Sequence, residues 1–465
     1  MQIGLGLMAW STGASRQLIN VLHHACLSVS YPSVSSIITS LADHSIEKAK
    51  TATKGPHALA YDNINISSSI FVEQGPNAMS KVQSGTFAVI YELLNARPED
   101  MQIQPMMERL RKASPLKLYD LRPTATAMHS YREQTAVTIC HILIQYVDGF
   151  DKQKADPLLQ HKPRRPLPQG HKTIFFPCRA STIEEASVDG NLHVHDDIYR
   201  TQMQKTHDEL NSLATAIPTM NDQLTCSRIR GAQALRQKDV SAWERRELFQ
   251  LAFGVFHLAM NLLWALLQTH RGALSQTGSL THLFAVLEKT RLGNEHPDYH
   301  TLLSALTQIL HGLMLNAWRT ECGHSTLEDF TKAKPSVEEL LRLARTIIND
   351  YAVPKTKLEP TNTKYPPKDI DDPASTSAPI SPGDTVNENV ILLTRDLLYV
   401  VELVNAVAAG DFGRVEDILP TLACMFRGAG SNNYSTEILH LLFNIKEVWT
   451  PQFAYSPFPC SCVHF

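Results

Sequence analysis

The sequence predicts a predominantly α-helical chain built around a small mixed α/β core. Three observations carry that prediction. Leu and Ala are abundant while aromatic residues make up only 7% of the 465 residues, a balance that suits helices better than an all-β design. Apolar residues recur at helical spacing along most of the chain, as one buried face of a helix requires. Three short stretches, 57–67, 173–178 and 211–221, read instead as strands.

Composition sets outer limits. With 43% hydrophobic and 19% charged residues, packed interiors can form and global disorder is excluded. The length exceeds what one compact core holds, so several domains are expected. Balanced charge, 43 basic against 46 acidic residues for a net charge of -3, gives no chain-wide attraction to nucleic acid or anionic lipid. Any DNA contact must come from a local patch. Eight scattered cysteines do not form a disulfide framework and fit reduced thiols in nucleus or cytoplasm. The start, MQIGLGLMAWSTGAS, has no basic n-region, so no signal peptide is expected.

Taken in order, residues 1–54 predict N-terminal helices, the second opened by Ser30-Tyr31-Pro32 and the group closed by Gly55-Pro56. Residues 55–240 form the mixed α/β core. HALAYDNINIS (57–67) alternates apolar and polar side chains and carries Asp62. A helical pattern covers about 131–147, and the Pro- and Lys/Arg-rich run 151–172 reads as a solvated connection. LATAIPTMN (213–221) ends at Asp222, where the helix-like QLTCSRIRGAQALR begins.

Residues 241–351 predict a helical insertion of about four helices. Its first part, LFQLAFGVFHLAMNLLWALL (248–267), has the length of a membrane span. However, Gln250, Gly254, His257 and Asn261 form one polar stripe on a helix, which is costly in lipid and easily satisfied in protein. A single buried helix in a non-membrane protein is expected. The Pro-rich, acidic stretch 352–388 reads as a flexible linker, 389–450 as C-terminal helices, and 451–465 as an atypical tail.

No P-loop, GxSxG, HExxH or GxGxxG is present. His193-x-His195-Asp196-Asp197, which reads as a polar loop, and Cys460-x-Cys462-x-His464 offer metal-friendly side chains, but neither has the surroundings of a defined site. The acidic constellation is better. Asp62 stands mid-strand, where aspartate is disfavoured, and Asp222 where a strand gives way to a helix. Carboxylates from neighbouring strand ends can hold Mg²⁺, and paired ions promote phosphodiester cleavage. Against this, Asp222 also reads as an ordinary N-cap and Asp62-Asn63 as a turn. Glu402, in the apolar run LLYVVELVNAV, is a candidate third carboxylate or a partner of Arg395. Arg228, Arg230, Arg236 and Arg245 form a basic cluster able to meet phosphates, as do Lys152, Lys154, Lys162, Arg164, Arg165 and Lys172; both clusters also read as solvated surface.

The chain resembles a large, transposon-associated family of mushroom-forming fungi known as a domain of unknown function. The resemblance runs through GPHALAYDNINIS (55–67), SGT (84–86), IEEASVDG (183–190), NDQLTCSRIRGAQALR (221–236), FGVFHLAMNLLW (253–264), LGNEHPDYH (292–300), RDLLYVVELVNAVAAGDFGRV (395–415) and FRGAGSNNYSTEILHLLFNIKEVW (426–449). It implies a ribonuclease-H-like transposase core with a helical insertion, holding Mg²⁺ on Asp62 and Asp222 and processing DNA. In such transposases a helix after the insertion returns a last acidic residue to the strand-borne pair, which assigns that role to Glu402. A degenerate, non-catalytic helical scaffold is the alternative. Two departures stand out: Asn221 replaces the glycine usual before the second aspartate, and YSPFPCSCVHF (455–465) resembles nothing in the family and reads as the end of a truncated or mis-spliced gene model.

Overall fold

The computed structural model describes residues 1–67, 82–354 and 385–455. The expected linker lies almost wholly outside those residues, as does the Cys460–His464 cluster. Helices dominate, and one five-stranded mixed sheet accompanies them. The chain divides into two compact units. One comprises 1–115, 167–254 and 443–465; the other comprises 116–166 and 255–442.

The first unit holds the whole sheet. Its strands are β1 (His57–Ser67), β2 (Val82–Glu92), β3 (Ile174–Pro177), β4 (Ile217–Asn221) and β5 (Phe249–Phe253), in the order β3-β2-β1-β4-β5. β1, β2 and β3 form an antiparallel meander. β4 then pairs parallel to β1, with Leu59 opposite Thr219 and Ala60 opposite Met220, and β5 pairs parallel to β4. Parallel neighbours need crossover connections, and two helices lie on those crossovers: Val188–Asp196 before β4 and Gln223–Leu235 after it. Each starts on a side-chain cap, Ser187 accepting from Gly190 N–H at 2.8 Å and Asp222 from Thr225 N–H at 2.7 Å.

β5 corrects the reading of 248–267 as one helix. Phe249–Phe253 is buried at every position, as a strand covered on both faces must be. A short continuous apolar run has no period that separates a buried strand from a buried helix. Only Val255–His270 is helical. Gln250, expected on the helix's polar stripe, sits on the strand and accepts the Trp449 indole N–H at 2.7 Å.

The second unit is helical, with long helices at Ala125–Tyr146, Val255–His270, Tyr299–Glu321, Val337–Tyr351, Thr385–Ala408 and Phe412–Gly428. Its core holds Trp318, whose indole donates to Ile139 O at 3.1 Å, and a Tyr131–Tyr399 stack with ring centroids 4.2 Å apart. The run 151–172 is largely exposed, as a solvated connection should be, but Arg164 and Arg165 within it are tied down. Asp411 accepts the backbone N–H groups of Arg164 and Arg165 at 2.7 and 2.8 Å, while their side chains pair with Asp417 and Glu416. Carboxylates of this unit occupy those two arginines. Among the described residues, no helix is long and apolar enough to cross a membrane.

Candidate metal-binding carboxylate site

Asp62 and Asp222 both belong to the first unit. The parallel register of β1 and β4 pairs Leu59 with Thr219 and Ala60 with Met220 and so runs towards Asp62 on β1 and Asp222, the cap of the helix after β4. A side-chain bond ties the residues just before them, since the Tyr61 N–H donates to Asn221 Oδ1 at 3.0 Å. Asp62, exposed, lies in the middle of β1, and Asp222 directly follows the adjacent parallel strand β4; such backbones run about 4.8 Å apart. The chain also departs in opposite directions on the two sides of this seam, through β2 and β3 on one side and towards β5 on the other. In open α/β sheets the carboxyl end of such a switch point is where ligands bind.

A third carboxylate joins them, one that reading the sequence for strands and helices does not single out. Glu185 is 5% exposed and precedes the helix Val188–Asp196. Its segment is laid against β2: Thr86 and Ser181 exchange backbone hydrogen bonds of 2.9 and 2.8 Å, and the Thr86 hydroxyl donates to Ile183 O at 2.7 Å. Gly85 permits this approach, because a Cβ there would stand 2.1 Å from Ser181 O. Asn191, fully buried, donates to Glu185 O at 2.6 Å and accepts the Tyr61 hydroxyl at 2.7 Å. Thus the SGT and IEEASVDG motifs meet, and their meeting places Glu185 against β1.

Electrostatics make the proximity concrete. Burial, and after it the charges of Asp62 and Asp222, push the Glu185 carboxyl up to about 8. The Thr225 hydroxyl and the Asn63 N–H pull the other way and do not prevail. The same Asn63 N–H donates to Asp62 Oδ1 at 2.8 Å. Glu185 Oε2 is buried and has no hydrogen-bond partner. A bare buried carboxyl oxygen is costly, and oxygen donors of this kind suit Mg²⁺. Among the described residues, no three His, Cys, Asp or Glu side chains are gathered closely enough to hold an ion by themselves. Mg²⁺ does not require that, since it is commonly bound by one or two carboxylates together with substrate phosphates.

The other candidates are placed differently. Glu402 lies in the second unit, where Arg414 grips both its carboxylate oxygens at 2.8 Å, with the two side chains 3% and 2% exposed. Its partner is neither Arg395, which pairs with Asp396, nor water. Arg236 pairs with Asp239 and Arg245 with Glu247; Arg228 is exposed, and the half-buried Arg230 is likewise engaged. The His193–Asp197 run is helical rather than a loop. His195 is buried, stacked on Phe249 with centroids 3.8 Å apart, and burial holds its imidazole well below the usual range.

The family model described as "Family of unknown function (DUF6589)" matches residues 110–456. The chain belongs to that family. No curated protein and no solved structure matches it. Within this DUF6589 chain the match takes in Glu185, Asp222, Glu402 and Arg414, while Asp62 precedes it.

Proposed function

We propose that the first unit is a ribonuclease-H-like core that cleaves or transfers phosphodiester bonds of DNA with Mg²⁺, as a transposon-derived enzyme would. The observation that carries this reading is the buried, unpartnered Oε2 of Glu185 beside Asp62 and Asp222. The strand order, with β1 central and two aspartates at the carboxyl end of its seam with β4, supports it. One or two of the carboxylates Asp62, Asp222 and Glu185, together with substrate phosphate oxygens, would hold the metal, which when bound supplies charge stabilisation at the scissile phosphate. Of the chain's own residues, Asn221 sets the spacing of the seam and Thr86 anchors the Glu185 segment. Arg228 and Arg230 follow Asp222 on the same helix and can meet substrate phosphates. Glu402 has no part in this reading, because its charge is already met by Arg414.

The rival reading, a non-catalytic helical scaffold, is favoured by one observation: the described carboxylates do not enclose a metal site of their own. A labelled oligonucleotide incubated with Mg²⁺ separates the two readings. Cleavage should fall by about 10²–10³-fold in Asp222→Asn and in Glu185→Gln, the several kcal/mol that metal-assisted stabilisation provides. Activity unaffected by either substitution, or none in the parent, leaves the scaffold.

A further inference from the structure

We propose that the open groove lined by Arg200 and Lys205 is a phosphate track along which the DNA backbone runs to or from the carboxylate site. This rests on the reading above and adds where the substrate lies. The groove has a volume of about 700 Å³, and Ile183, Asp196, Asp197, Arg200, Lys205 and His207 are among its lining residues. All belong to the first unit. Ile183 connects it to the site, because two residues further along the same β2-anchored segment stands Glu185.

The lining presents two cations, Arg200 and Lys205, beside acids that are in part engaged elsewhere. Asp196 is engaged by the buried Arg246 at 2.8 Å, which itself stacks on Trp243. Asp197 Oδ2 accepts the Gln202 amide at 2.9 Å. Asp208 and Glu209 follow Lys205 on the next turn; Glu209 closes a capping box with Thr206, and its charge still acts on the Lys205 ammonium, though less than burial does. Arg200 is exposed on the π-helical turn Asp197–Gln202 and forms no ion pair among the described residues. Lys205 is half-buried, its ammonium reaching Thr53 O at 3.1 Å. Burial holds that ammonium below its usual value, so an arriving anion would relieve its desolvation. Cations of this kind, on an open groove rather than in a closed pocket, fit a polyanion that passes through.

The test uses the full chain, a fluorescein-labelled DNA oligonucleotide, EDTA and a salt series. The parent should bind, and Arg200→Glu with Lys205→Gln should weaken binding by about tenfold or more. The same double variant should lower the salt slope by about one for each phosphate that it no longer neutralises. Arg200→Lys should recover most of the affinity, and thermal melts of all three should agree. Parental affinity in the double variant, or failure of the parent to bind DNA, overturns the track. Saturable binding of inorganic phosphate without oligonucleotide binding overturns it in favour of a small-anion pocket. The two readings separate cleanly: binding through Arg200 and Lys205 without Mg²⁺-dependent cleavage defeats the catalytic reading alone. Binding retained with cleavage abolished in Asp62→Asn supports both.

Discussion

Two buried glutamates in this chain face the same physical problem and solve it in opposite ways. Glu402, in the second unit, has both oxygens held by Arg414. Glu185, in the first, is left with a bare oxygen and two aspartates for neighbours. Burial raises both carboxyls above the ordinary value. For Glu402 the guanidinium counters that rise; for Glu185 the neighbouring charges add to it. An acid with its own cation is a structural part, complete as it stands. An acid surrounded by like charge is complete only with a proton or an outside cation.

The largest expected effect breaks the complete pair. Arg414→Met leaves Glu402 buried without a counter-charge and should cost about 3–5 kcal/mol, read as a shift in denaturant midpoint. Adding Glu402→Leu should return most of that loss, because well-packed apolar side chains replace buried ion pairs at little cost. If the double variant is no better than the single, the pair has a role beyond charge compensation.

The next effect belongs to Glu185 and depends on pH. In EDTA its folded carboxyl titrates near 8 against an ordinary 4.5, so the folded state keeps the proton longer than the unfolded one. That contribution is fully present below about pH 4.5 and is lost as pH rises towards 8, by at most about 1.4 kcal/mol per unit. Glu185→Gln should flatten this slope, and Mg²⁺ should stabilise the parent at pH 8 more than the variant. Parallel melting curves for parent and variant across pH 5–8 would mean that the carboxyl is not held as described.

Smaller still is the effect of the glycine that lets the Glu185 segment approach. Gly85→Ala must displace Ser181 O or the strand, at about 1–3 kcal/mol, and should lower the Mg²⁺ response together with stability. Least of all, Arg164→Ala removes a partly exposed pair with Asp417 and should change stability by about 0–1 kcal/mol. A larger loss would show that the Asp411 clasp depends on that side chain and not on backbone N–H groups alone.

Part of the first unit was legible in the sequence: β1, β3 and β4 were expected, whereas β2 was not, and residues 116–166, expected in the core, belong to the second unit. The alternation over 57–67 gave β1 with Asp62, and the strand-to-cap junction at Asn221-Asp222 gave the turn into the next helix. Sequence spacing could not separate β5 from its helix, since a buried run has no period to read. Glu185 was hidden for a different reason. It sits in a polar, aperiodic run, and the segment that carries it is held in place by a residue about a hundred positions earlier, Thr86. The signals present were the glycines at 85 and 190, each at a place where a Cβ would meet backbone oxygen. Glu402 was recognisable as an acid in apolar surroundings. Its partner Arg414, one helix later in DFGRV, was not, because no spacing rule joins residues on different helices.

The side-chain bond from Asn221 to Tyr61 has one more consequence. Elsewhere a sheet keeps its strands together with peptide groups, which every substitution but proline leaves in place. At the end of the β1/β4 seam the tie is a carboxamide, so two side-chain torsions decide how far the strand ends diverge. The resemblance leads one to expect glycine at 221, which would offer no such tie. The gap between Asp62 and Asp222 is therefore an inheritable setting, adjustable by a single codon while the remainder of the sheet stays as it is.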